Sequence, residues 1–216
     1  MSLKSILGEI QKDLVKREEA WEGVKRDMRR ATRLSKQAIL FVHQERNDEA
    51  KKLLDEAREL FSKLRETSNN YPYVIHTGIV DSAFQEYAEA WTFLSLVEKD
   101  LFIDPEDLGI ASVSYILGLA DVVGEFRRRT LDSIRRGDVD TAEKCLQKME
   151  HIYTELTNMD EGYLLVSGLR RKCDIARRII ESTRGDVTIE TRRSALEDSI
   201  TKLEKAMRRK PKSGEA

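Results

Sequence analysis

Two pairs of carboxylates stand where their neighbours in sequence are apolar. In "FQEYAEAW", Phe84 to Trp91, Glu86 and Glu89 are three residues apart, and the stretch from Ala90 to Val97 carries no charge. In "IASVSYILGLADVVGEF", Ile110 to Phe126, the only charges are Asp121 and Glu125, four residues apart. Spacings of three and four put side chains on one face of a helix. An isolated buried carboxylate is strongly disfavoured unless it is paired, hydrogen-bonded, protonated or bound to a metal. Two such helices facing each other would bring four negative groups together, and a divalent cation relieves a repulsion on the order of several kcal/mol. Oxygen-only ligands suit Mg²⁺ or Mn²⁺ better than zinc, and the sequence has no Glu-x-x-His motif of the di-iron type. Gly118 and Gly124 flank the second pair. Glycine inside a helix costs about 1 kcal/mol, which close approach of another group would offset. Structural ion pairs with the abundant arginines satisfy the same spacing. Asp81 and Glu98, in the same stretch as the first pair, read as members of a solvated face.

A second set of residues suits phosphates. Arg26, Arg29, Arg30, Arg33 and Lys36 recur at intervals of three and four, with Val24, Met28, Ala31, Ala38 and Val42 on the opposite face. Contacts from such a stripe hold a nucleic-acid backbone without reading sequence, and their affinity falls steeply with salt. The alternative is a solvated face paired with acidic neighbours. "FRRRT" (126 to 130) and "GLRRKCDIARR" (168 to 178) are further basic clusters, but both mix with apolar positions, as packing residues with long stems do. His43, His76 and His151 have no nucleophile partner signature, and no glycine-rich phosphate loop is present.

These residues must be carried by helices. The chain has 216 residues, 36% charged, with three prolines and eleven glycines, so few breakers interrupt runs rich in Leu, Ala, Glu, Lys and Arg. The length suffices for one sizeable domain burying roughly 70% of its unfolded surface. A net charge of −1 gives no global field for nucleic acid, so the placement of charge decides. Cys145 and Cys173 lack metal or redox spacing and predict reduced thiols. The amino terminus meets charge too early for a signal peptide, and no apolar run of about eighteen residues predicts a membrane span. The expectation is a soluble, cytoplasmic protein.

The first helical pattern runs from 3 to 45. "Asn47-Asp48" offers an N-cap for a helix to about Lys63, and "TSNNYPYV" (67 to 74) reads as a loop. A helix from Gly78 to Phe102 follows. Asp104 and Pro105 start a short helix ending near Gly109, and another runs from Ser112 to Arg136. Gly137 suits a left-handed C-cap, with Asp138 or Asp140 capping the next helix. Helices over 140 to 157, 160 to 183 and 189 to 209 complete the pattern, with "RGDVT" (184 to 188) as a turn. With no fixed repeat period, the expectation is an all-α antiparallel bundle of about seven helices in a single domain, 1 to 209, with a disordered tail, 210 to 216.

The motifs together resemble the nuclease-type Trax subunit of the translin/Trax family. "FQEYAEAWTF" and "YILGLADVVGEFRRRTLDSIRRGDVDTA" carry the resemblance, and "GYLLVSGLRRKCDIARRIIESTRGDV" is similar to that family's carboxy-terminal helices. The similarity covers Trp21 to about Thr188, and the compact chain looks like an archaeal Trax-like member. It implies a translin-like bundle assembling as a hollow oligomer, an octamer of one chain type, that encloses RNA and also takes single-stranded DNA. In Trax subunits the motif Q-E-Y-x-E-A supplies two catalytic glutamates, here Glu86 and Glu89. The motif A-D-x-x-G-E supplies an aspartate and a glutamate, here Asp121 and Glu125. The resemblance thus implies a Mg²⁺-dependent endoribonuclease with all four carboxylates as metal ligands, and a binding surface around Arg26, Arg29, Arg30 and Arg33. Two other readings stand beside it: a non-catalytic translin-like binder of nucleic acid, and an all-α nucleotide pyrophosphohydrolase, whose motif spacing fits less well.

Overall fold

A computed structural model describes residues 2–159 and 161–209, and these are helical almost throughout. The tail expected at 210 to 216 lies outside the described residues. Their order is α1 (Leu3–His43), α2 (Asn47–Asn70), a 3₁₀ turn (Pro72–Ile75), α3 (Gly78–Glu98), α4 (Pro105–Leu108), α5 (Ser112–Arg135), α6 (Val139–Thr157), α7 (Gly162–Leu165) and α8 (Leu169–Arg209). The all-α expectation holds. Contacts group the chain into two compact units, Met1–Val122 and Val123–Ala216, with α5 running through the boundary.

In the first unit α1 packs against α2 and α3. Val24, Met28, Ala31, Ala38 and Val42 are buried, so the apolar face read from the sequence is the one that packs. Phe61 of α2 stacks on Phe84 of α3 at 4.6 Å and meets Tyr87 edge-on at 4.9 Å. The fully buried Tyr87 hydroxyl accepts a 3.2 Å hydrogen bond from Arg58 Nε. α3 is buried on nearly all sides from Tyr87 to Leu96, apart from half-buried Trp91, which accounts for its uncharged run.

In the second unit α6 packs on the first part of α8. Leu169, Cys173, Ala176, Ile180, Thr183 and Val187 are buried at alternating steps of four and three, the seam of two helices crossing at a shallow angle. Cys145 and Cys173 are buried free thiols. Burial pushes the Cys145 thiol up to about 11.

The capping signals around α4 and α6 proved accurate. Asp104 accepts from Glu106 N–H at 2.8 Å ahead of Pro105, and Gly109 takes φ 64° at the far end of α4. Gly137 takes φ 75°, and Asp138, rather than Asp140, accepts from Thr141 N–H at 3.0 Å. Other expectations need correction: the helix expected to reach Phe102 ends at Glu98, and that expected over 160 to 183 is split into α7 and the start of α8. Neither Asn47 nor Asp48 caps α2, which begins at Asn47; Arg46 precedes the helix and its guanidinium grips Glu49 in the first turn at 2.5 and 2.6 Å. α2 does not stop at Lys63 but runs to Asn70. The Thr67 and Ser68 hydroxyls turn back to the Lys63 and Arg65 carbonyls, and only Tyr71, before Pro72, leaves helical geometry with φ −133°. Finally, "RGDVT" is no turn but the middle of α8. Val187 is buried there and Arg184 holds Glu150 of α6 at 2.7 Å, so tertiary anchoring outweighs the ~1 kcal/mol that Gly185 costs.

Candidate active site and nucleic-acid interface

Glu86 and Glu89 sit in the middle of α3, Glu86 half-buried and Glu89 buried with 8% exposure. Asp121 and Glu125 are half-buried one turn apart on α5. Asp121 belongs to the first unit, and Glu125 opens the second, three residues past the boundary at Val122.

A glycine lets α5 reach α3. A Cβ at Gly118 would sit 2.6 Å from the Gln85 carbonyl oxygen, 2.8 Å from Ala88 Cβ and 3.0 Å from the Glu89 nitrogen, distances that real side chains do not tolerate. Only a residue without a Cβ allows this approach, and it falls where α3 carries Gln85 to Glu89. The compensation expected for a glycine here is therefore present at Gly118. It is not present at Gly124, where a Cβ would meet nothing within 4 Å.

Across this contact Gln85 Nε2 donates to Asp121 Oδ2 at 2.6 Å. Sequence reasoning left Gln85 without a role. The signal was available, because Gln85 lies four residues before Glu89 and so shares its face.

The basic stripe reaches the same place from α1. Lys36 Nζ lies 3.2 Å from Glu86 Oε1, with the lysine side chain 62% exposed and the glutamate 21%. Arg30 pairs with Glu56 of α2 at 3.0 Å. Arg26, Arg29 and Arg33 are exposed, and neither Arg26 nor Arg33 forms an ion pair among the described residues. The stripe is thus an open cationic surface whose last member touches the acidic motif. The solvated-face reading of Asp81 and Glu98 also holds: Asp81 is exposed, and Glu98 pairs with Lys51 at 2.5 Å.

No group of three or more His, Cys, Asp or Glu side chains is gathered to hold a metal among the described residues. Glu86 is turned to the Lys36 ammonium and Asp121 to the Gln85 amide. The donor set is nonetheless that of a hard dication, carboxylate oxygens alone, and Lys36 shows that a cation is already attracted to one of them. No described helix is long and apolar enough to cross a membrane.

Comparisons with known proteins place the chain in a family. The Translin family model matches residues 19–207, most of both units. An uncharacterized protein of Methanocaldococcus jannaschii is 31% identical, over 69% of this chain and 68% of its own length. Translin-associated protein X of Pongo abelii is 26% identical over 66% of this chain, and the match spans 63% of that longer relative. Among solved structures, the AfC3PO–duplex RNA complex aligns with TM-score 0.74 and 34% identity, over 86% of this chain and 96% of that one. Apo-NeC3PO aligns with TM-score 0.77 and 25% identity, over 85% and 96%. A match of this extent in sequence and fold makes the chain a member of the translin family with Trax-like character.

Proposed function

We propose that this protein binds RNA and cleaves it as a metal-dependent ribonuclease. The observation that carries the reading is the meeting of two chemistries: the cationic stripe of α1 ends at Lys36, 3.2 Å from Glu86 of the acidic motif. A phosphodiester held along the stripe would arrive beside the carboxylates. Glu86, Glu89 and Asp121 would hold Mg²⁺ or Mn²⁺. A dication so held supplies a water of lowered pKa and stabilises charge on the leaving oxygen. Arg26, Arg29, Arg30, Arg33 and Lys36 would bind and orient the backbone. Lys36, drawn to a phosphate, would release Glu86 from its ion pair. Gly118 keeps the two carboxylate-bearing helices in register while this happens.

Assembly is part of the proposal. Leu3, Leu7, Ile10 and Leu14 of α1, and Leu196, Ile200, Leu203 and Met207 of α8, are exposed large apolar residues at steps of three and four. Helical stripes of this kind suit burial against other subunits. A homo-oligomer, octameric by family resemblance, would enclose the RNA. That AfC3PO forms a complex with duplex RNA supports the ligand class; single-stranded DNA is a further ligand to try.

The test is a titration of Mg²⁺, then Mn²⁺, into the full chain with end-labelled single-stranded and nicked duplex RNA, with light scattering on the same samples. Cleavage that rises with either cation and stops on chelation is the expected result. RNA binding without cleavage at any concentration would replace this reading with that of a non-catalytic binder, which the protein partners of Glu86 and Asp121 would then explain.

A further inference from the structure

We infer that Gln85 is a positioning residue for the acidic site, fixing the Asp121 carboxylate by donating its amide Nε2–H to Oδ2. The inference rests on Asp121 being a metal ligand, as proposed above.

Three observations converge on it. The hydrogen bond is short, 2.6 Å, and partly buried, where a lost partner costs more than it would in water. The backbone of the same residue lies against α5, its carbonyl oxygen in the space a Gly118 Cβ would need. That close approach brings the Gln85 side chain within reach of Asp121, three residues on from Gly118. Finally, the donor is neutral. An amide orients a carboxylate without cancelling its charge. The contact at Glu86 is of the opposite kind: the Lys36 ammonium neutralises the carboxylate and competes with any second cation.

The amide and the ammonium thus divide two tasks. Gln85 holds Asp121 in one rotamer, so that little side-chain freedom is lost when a cation arrives. Lys36, exposed and flexible, can leave. Outer partners of metal-binding carboxylates are worth about 10- to 100-fold in metal affinity or activity, and Gln85 should fall in that range.

The experiment is a double-mutant cycle read by Mn²⁺ binding to the RNA-free full chain, followed by electron paramagnetic resonance. Wild type, Gln85→Met, Asp121→Asn and the double variant are compared, with melting midpoints as the check on folding. Asp121→Asn should weaken Mn²⁺ binding. Gln85→Met should weaken it about 10- to 100-fold in a chain that still melts cooperatively, and should add nothing in the Asp121→Asn background. In cleavage assays it should lower kcat and leave KM for RNA unchanged. If Gln85→Met disturbs folding, Gln85→Asn replaces it, because its amide is one methylene too short to span the same gap. Full Mn²⁺ affinity in the Gln85 variants, or an effect that simply adds to that of Asp121→Asn, would overturn the positioning role. If Asp121→Asn itself binds Mn²⁺ like wild type, the metal-site reading fails first and takes this inference with it, so the two failures are told apart.

Discussion

The acidic face of α3 and α5 and the basic stripe of α1 are built to different standards. Three features of the acidic face narrow its freedom. Glu89 is buried, Asp121 receives the Gln85 amide, and Gly118 admits a backbone contact that no other residue would. The stripe is left loose: its arginines are exposed, and among the described residues only Arg30 and Lys36 have ion-pair partners across the fold. The difference matches what the two chemistries require. Acting on a phosphodiester needs charges fixed to within about half an ångström, whereas gathering a polyanion needs only a field and mobile donors.

Substitutions should divide along the same line. The largest effect is expected at the fixed face. Glu89→Gln should lower the cleavage rate by more than about 100-fold, beyond what an outer partner is worth, with RNA affinity intact. Single-turnover rates beside a filter-binding assay check this, and equal loss of both would merge the two regions.

Next comes the glycine contrast. Gly118→Ala forces a Cβ against the Gln85 carbonyl and should cost about 1–3 kcal/mol of stability as an overpacked contact, reducing cleavage as α5 is pushed from α3. Gly124→Ala, with open space around it, should instead gain up to about 1 kcal/mol from helix propensity. Denaturant midpoints of the two variants should move in opposite directions.

On the loose side, Arg29→Ala combined with Arg33→Ala should weaken RNA binding uniformly across sequences. It should also reduce the slope of log K against log salt by about 1.4, two phosphate contacts on a single strand. An unchanged slope would remove the stripe from the interface.

The smallest effect lies away from both regions. Asp138, held below the ordinary carboxylate range by hydrogen bonds from the Thr141 side chain and backbone N–H, caps α6. Its Ala variant should lose about 1 kcal/mol. Because the folded-state pKa is lowered, that stabilisation is present above the unfolded pKa of about 3.9 and disappears as pH falls through the folded value. Melting curves of wild type and variant should therefore converge in acid.

The same contrast explains what could be read from the chain alone. Features set by neighbouring residues were legible: the Asp104–Pro105 start, the Gly137 stop, the buried face of α1, and the grouping of two carboxylate pairs on helices. Features set by distant contacts were not. "RGDVT" contains a glycine and an aspartate that favour a turn locally, yet Val187 and Arg184 are anchored against α6 and keep α8 continuous. Likewise the two glycines on α5 look alike in sequence, and only the packing of α3 separates them. Gln85 falls between these cases. Its spacing from Glu89 was visible, but its reach to Asp121 depends on how closely the helices meet. Lys36 belongs to the stripe by spacing and to the acidic site by contact, a double membership that periodicity cannot express.

The central claim is that the fixed face cuts while the loose one holds, and Asp121→Asn tests it most directly. Mg²⁺-dependent cleavage and RNA affinity should be measured on the same samples, beside wild type. The account expects the wild-type dissociation constant with cleavage abolished. Undiminished Mg²⁺-dependent cleavage by that variant would contradict it.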